Sequence, residues 1–165
     1  GSCTETDGPG NSGHGTHVTG IAAGNGLPDK TYVGIAPEAD IIVVKTDFDF
    51  NHIIDAVEYV FRRAGALGKP AVVNLSLATQ QGPHDGTTTP EQMLASKVGK
   101  GRVIVAAASN EGNINVHVSY SIANQERATG FVAYSNDTHD VDVDIWYSGG
   151  NIDVALAGLD ENLNL

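Results

Sequence analysis

The chain has 165 residues, 41% hydrophobic and 18% charged, which fits a soluble globular unit large enough for a core of its own. Nine basic against 20 acidic residues leave a net charge of −11, which argues against a nucleic-acid partner. Cys3 is the only cysteine, so no intrachain disulfide framework exists, and no apolar run approaches the ~20 residues of a membrane span.

Residues 3–13 are loop by composition. The stretch Gly13-His14-Gly15-Thr16-His17-Val18-Thr19-Gly20 follows, with Val18, Ile21 and Ala22 at helical spacing and Gly24 as a stop. Glycines on both sides of His14 let another chain approach its imidazole. Its ordinary pKa near neutrality suits a proton shuttle. Residues 39–45, Ala-Asp-Ile-Ile-Val-Val-Lys, read as a fully buried strand. Residues 51–67 form an amphipathic helix. Ile53, Ile54, Val57, Val60, Phe61 and Ala64 lie on one face, and Gly68 and Pro70 end it. Residues 71–77 are the next buried strand. A helix then opens at Thr89-Pro90-Glu91-Gln92, with capping-box spacing from Thr89 to Gln92, and runs to about Gly99. Residues 102–108 are a third buried strand. This order predicts an α/β fold, a parallel sheet with crossover helices, over residues 1–113.

After Asn113 the apolar residues alternate with polar ones, in 116–120, 129–134, 141–147 and 152–156. That predicts an antiparallel β segment, sandwich- or jelly-roll-like, over 114–165, with a hairpin turn at Gly149-Gly150-Asn151. Val141, Val143, Ile145 and Tyr147 would face inward. Trp146 would be half covered.

Four stretches together resemble the subtilisin-like serine proteases, in family order. They are the His-Gly-Thr-His motif at 14–17, Gly34-Ile35-Ala36-Pro37, Asn74-Leu75-Ser76-Leu77, and Ala108-Ser109-Asn110-Glu111-Gly112. The resemblance covers residues 13–113. It implies a serine endopeptidase that works through an acyl-enzyme on a peptide or protein substrate. His14 would be general base and then acid, and His17 a buried structural residue. Asn110 would donate to the oxyanion. Ser76, Leu77 and Ala78 would form a rim that pairs with the substrate backbone, and Ala107, Ala108 and Ser109 the opposite wall. The family usually has glycine where Ala78 and Ser109 stand, so each adds a side chain beside the substrate path.

The triad aspartate and the Gly-Thr-Ser-Met-Ala-like nucleophile stretch are not found. Asp7 is a poor candidate, because no strand precedes it. The chain is therefore expected to be an internal fragment, inactive alone, whose partners include the missing parts of its catalytic domain and a propeptide. A catalytically dead scaffold of the same family, acting in binding or regulation, is the alternative. A doubly wound binding module with a structural histidine is a second one. The placement of the β segment resembles clostridial germination proteases that carry a jelly roll there. The resemblance favours a secreted, cell-envelope or spore-associated setting over a cytoplasmic one. No cofactor is expected. No metal set is assigned, since the histidines lack a completing carboxylate or cysteine. Calcium is common in the family but is assigned to no residue here.

Overall fold

The computed structural model describes residues 13–29, 31–114, 116–123 and 143–155. Its elements are α1 (His14–Ala23), α2 (Phe50–Ala66), β1 (Ala71–Leu75), α3 (Thr89–Lys97) and β2 (Arg102–Ala106). β1 and β2 pair in parallel, from Ala71 opposite Arg102 to Leu75 opposite Ala106, with α3 in the crossover. A parallel neighbour cannot be reached by a tight turn, so the connection needs such an element.

α2 carries the core. Asp49 caps it by accepting the Asn51 backbone N–H at 2.8 Å. The expected face is buried at Ile53, Ile54, Val57, Phe61 and Ala64. The helix ends as Gly68 turns left-handed at φ 66°. There Gly68 N–H donates to the Gly65 carbonyl and Lys69 N–H to the Ala64 carbonyl. These two bonds satisfy carbonyls that the helix end would otherwise strand. Val57 and Phe61 pack on Val73 of β1, with Val60, Ala71, Leu75, Leu94 and Ile104 around them.

α3 begins one residue earlier than the sequence suggests. Thr88, not Thr89, is the cap, and Glu91, not Gln92, closes the box. The Thr88 backbone N–H donates to the Glu91 carboxylate at 3.1 Å and the Thr88 hydroxyl at 2.7 Å. A carboxylate accepts more strongly than an amide oxygen, so the glutamate wins the position.

The buried strand expected at 39–45 does not form. This stretch joins no sheet, and Val43 is 77% exposed. Its apolar, β-branched run supplies propensity, but a strand also needs an edge to pair with. Asp40 is instead paired with Lys69.

β1 and β2 are likewise not buried on both faces. Val73 is 8% exposed, while Val72 on the opposite face is 67% exposed, and Val103 and Val105 also face outward. Among the described residues, helices cover one side of the pair only.

The antiparallel segment is not seen either. Residues 116–123 and 143–155 carry no strand, while 129–134 and 141–142 lie outside the described residues. Gly149 does turn left-handed, at φ 81°, but no paired strands flank it. Val143, Ile145 and Tyr147 are all exposed, and Trp146 is 56% exposed. Alternation assigns faces, but ladder hydrogen bonds need a partner in register.

At the start of α2, His52 Nδ1 lies 2.8 and 3.0 Å from the two Asp47 carboxylate oxygens. The hydrogen bond to Asp47, then its charge, raises the His52 pKa. The hydrogen bond from His52 holds the Asp47 carboxyl low. The Asp47 contribution to stability is present above the ordinary carboxylate pKa and is lost as pH falls through its depressed folded value. The His52 contribution is present below the ordinary imidazole pKa and is lost as pH rises through its raised folded value. The expected NMR result is a His52 midpoint above its ordinary value, which D47N returns toward that value. An unchanged midpoint in D47N would show that the pair does not persist in solution.

Candidate functional site

The site is built from the carboxyl ends of β1 and β2. Because the strands are parallel neighbours, the residues that follow each of them leave the same sheet edge. Such edges are where α/β sheets gather reactive groups. Ala107 N–H donates to the Leu75 carbonyl at 3.0 Å, which extends the pairing one step past the strands. Ser76, Leu77 and Ala78 therefore leave the sheet at the same edge as Ala107, Ala108, Ser109 and Asn110. Asn74 Nδ2 donates to Ser76 Oγ at 2.9 Å. Ala78 and Asn110 are exposed, while Ser76, Leu77 and Ser109 are half-buried.

Ser109 has φ 73°, left-handed backbone that costs a β-carbon residue more than glycine. Its hydroxyl donates to Glu111 Oε2 and accepts the Glu111 N–H at 3.2 Å. The same Oε2 accepts the Asn110 backbone N–H at 3.0 Å and Gln80 Nε2 at 3.3 Å. The Ser109 hydroxyl first, then the Asn110 amide, hold the Glu111 carboxyl below its usual range.

The loop after β1 has a second anchor. Gly82, at φ 93°, donates its N–H to Asp144 Oδ2 at 2.7 Å. The side-chain hydrogen bond from Trp146, then the Gly82 amide, lowers the Asp144 pKa. Sequence reading missed Gln80, Glu111 and Asp144 as contributors. For Glu111 a local signal existed, a carboxylate two residues after a serine at a turn. Asp144 reaches Gly82 across 62 positions and left no local signal.

His14 opens α1 and is exposed, as is His17, which was expected to be buried. α1 buries no residue, so its following turn has no interior for an imidazole to enter. Gly13 starts the helix in left-handed backbone, at φ 97°. The outer hydrogen bonds of α1 run to the segment after it. Ile35 N–H donates to the Ile21 carbonyl at 3.1 Å and Ala36 N–H to the Ala22 carbonyl at 2.9 Å. This close seat requires glycine at 34, where a β-carbon would stand 2.5 Å from the Gly24 nitrogen. The turn at 34–37 and the histidine helix are thus one unit. The sheet edge gathers the other seven expected residues. No hydrogen bond among the described residues links His14 to them.

An α/β unit with a histidine helix, and with a serine-bearing and an asparagine-bearing loop leaving one parallel edge, has part of the framework of a subtilisin-like hydrolase. The pattern of the Subtilase family matches residues 2–157, and the chain belongs to that family. It is 30% identical over 128 residues to a subtilisin of Bacillus sp. strain TA39, covering 72% of this chain and 27% of that protein. The solved structure of the Clostridium perfringens CspB protease is similar with a TM-score of 0.55 and 31% identity, over 61% of this chain and 24% of that one. The chain thus spans about a quarter of the length of these relatives. Proteases named as extracellular and as intracellular are both among the matches. Among the described residues, no helix is long and apolar enough to cross a membrane.

Proposed function

We propose that this chain is the histidine- and asparagine-bearing part of a subtilisin-like serine endopeptidase that hydrolyses peptide bonds through an acyl-enzyme. The observation that carries the reading is the parallel β1–β2 edge, which gathers residues 76–78 and 107–110 in a chain of this family. In the reaction, His14 takes the proton of a serine hydroxyl supplied from outside these 165 residues and later gives it to the leaving amine. The Asn110 side-chain N–H donates to the oxyanion as it forms. Ser76, Leu77 and Ala78 pair with the extended peptide, and Ala107, Ala108 and Ser109 wall the pocket opposite. Ala78 and Ser109 narrow this path relative to glycine and favour a small substrate side chain. Residues 1–113 form part of the catalytic domain and 114–165 a segment inserted into it. The family resemblance favours a secreted, cell-envelope or spore-associated setting over a cytoplasmic one.

The isolated chain is expected not to react with an active-serine phosphonate, because it lacks the nucleophile stretch. Mass spectrometry after incubation checks this. Stoichiometric labelling of Ser76, Ser109 or any other serine here would sink the division of labour. Extending the reading frame on both sides tests the positive half. Labelling that appears with a downstream Gly-Thr-Ser-Met-like segment supports the protease. An extended protein that still fails to label favours the inactive scaffold, which the two filled glycine positions would suit.

A further inference from the structure

We infer that Glu111 is the positioning residue for Asn110, clasping a left-handed turn at Ser109 that lacks the glycine its backbone favours. The inference rests on the proposed role of Asn110 as oxyanion donor. A donor of that kind works only if its place is fixed before charge develops. Asn110 follows a residue at φ 73° that carries a β-carbon, so the turn just before it is under strain. Glycine would hold this conformation freely.

Here the side chains hold it. The Ser109 hydroxyl and the Asn110 backbone N–H both donate to Glu111 Oε2, and the Glu111 N–H donates back to Ser109 Oγ. Serine thus closes with its own hydroxyl the turn that its β-carbon strains. The carboxylate also accepts from Gln80 Nε2, two residues beyond Ala78 on the facing loop. One carboxylate therefore fixes the turn and sets the separation of the two proposed cleft walls. Each of its partners is neutral: a hydroxyl, a backbone amide and a side-chain amide. Charge-assisted bonds of this type are roughly twice as strong as neutral ones. The lowered pKa of Glu111 agrees with a carboxylate in such use.

The test is an NMR titration of the ¹⁵N-labelled 165-residue chain. The Asn110 backbone amide and the Gln80 side-chain amide should shift together, at one midpoint below the ordinary glutamate value. E111Q should remove that step from both resonances and move Asn110 at neutral pH. In the S109G background, glycine supplies the turn, so E111Q should move the Asn110 side-chain amide much less. Asn110 and Gln80 resonances that ignore E111Q would overturn the clasp. So would an E111Q shift of the Asn110 side-chain amide that is equal in size in the S109G background. Circular dichroism of each variant separates these outcomes from unfolding. None of these readouts needs activity. A failed clasp therefore leaves phosphonate labelling to judge the protease reading, and a failed protease reading leaves the clasp measurable.

Discussion

His14→Ala, made in the whole protein to which we propose this chain belongs, lowers kcat about 10⁶-fold, a magnitude established on subtilisin and carried over with the family. KM should change little, because the role proposed for the imidazole is to move protons and not to grip the substrate. Asn110→Ala should cost about 10²–10³-fold, also a subtilisin magnitude, since one oxyanion donor is lost while the acyl-enzyme can still form. The inequality between the two is the informative part. Single-turnover kinetics with a chromogenic peptide would measure both. Equal, small effects would mean that neither residue lies at the reacting bond, and the scaffold reading would stand in its place.

Phe61→Ala is expected to abolish cooperative folding of the α2–β1–α3–β2 unit. Phe61 is 7% exposed and packs with Val57 and Val73, and the Arg102 guanidinium lies 6.0 Å from its ring centre. Truncating a buried phenylalanine costs about 3–5 kcal/mol in lost transfer energy and residual cavity. A whole domain has only about 5–15 kcal/mol in hand. Among the described residues the buried apolar set is Ile53, Ile54, Val57, Phe61, Ala64 and Val73, so little else can compensate. Urea unfolding followed by circular dichroism gives the result. Tyr59→Ala is the control, because Tyr59 is exposed on the same helix. It should cost about 0.5 kcal/mol or less. A Phe61→Ala midpoint equal to that of Tyr59→Ala would show that the core lies elsewhere.

What the sequence revealed divides by range. α2 was legible because its apolar face and its Gly68–Pro70 stop are written within a few residues of where they act. β1 and β2 were legible for the same reason, short apolar runs bounded by turn residues. The strand expected at 39–45 has the same composition yet did not form. What decides it is whether a distant edge is available, and composition is silent on that. The capping box failed by one residue because Thr88/Glu91 and Thr89/Gln92 both satisfy the spacing. Only the strength of the acceptor separates them. At the site, the nearness of Ser76 to Ala107 follows from the parallel register alone. The Glu111–Gln80 bond spans 31 positions and needed coordinates.

The uncovered side of the β1–β2 pair sets the calorimetry of this chain. Val72, Val103 and Val105 are hydrated before unfolding begins. The heat capacity of unfolding comes from apolar surface newly wetted, about 12–15 cal/mol/K per residue in ordinary domains. Residues wet in both states add nothing to it. The β1–β2 pair alone therefore adds less to the curvature of the stability curve than its apolar content suggests, on cooling as well as on heating. A segment that covered Val72, Val103 and Val105 would steepen that curve as it bound.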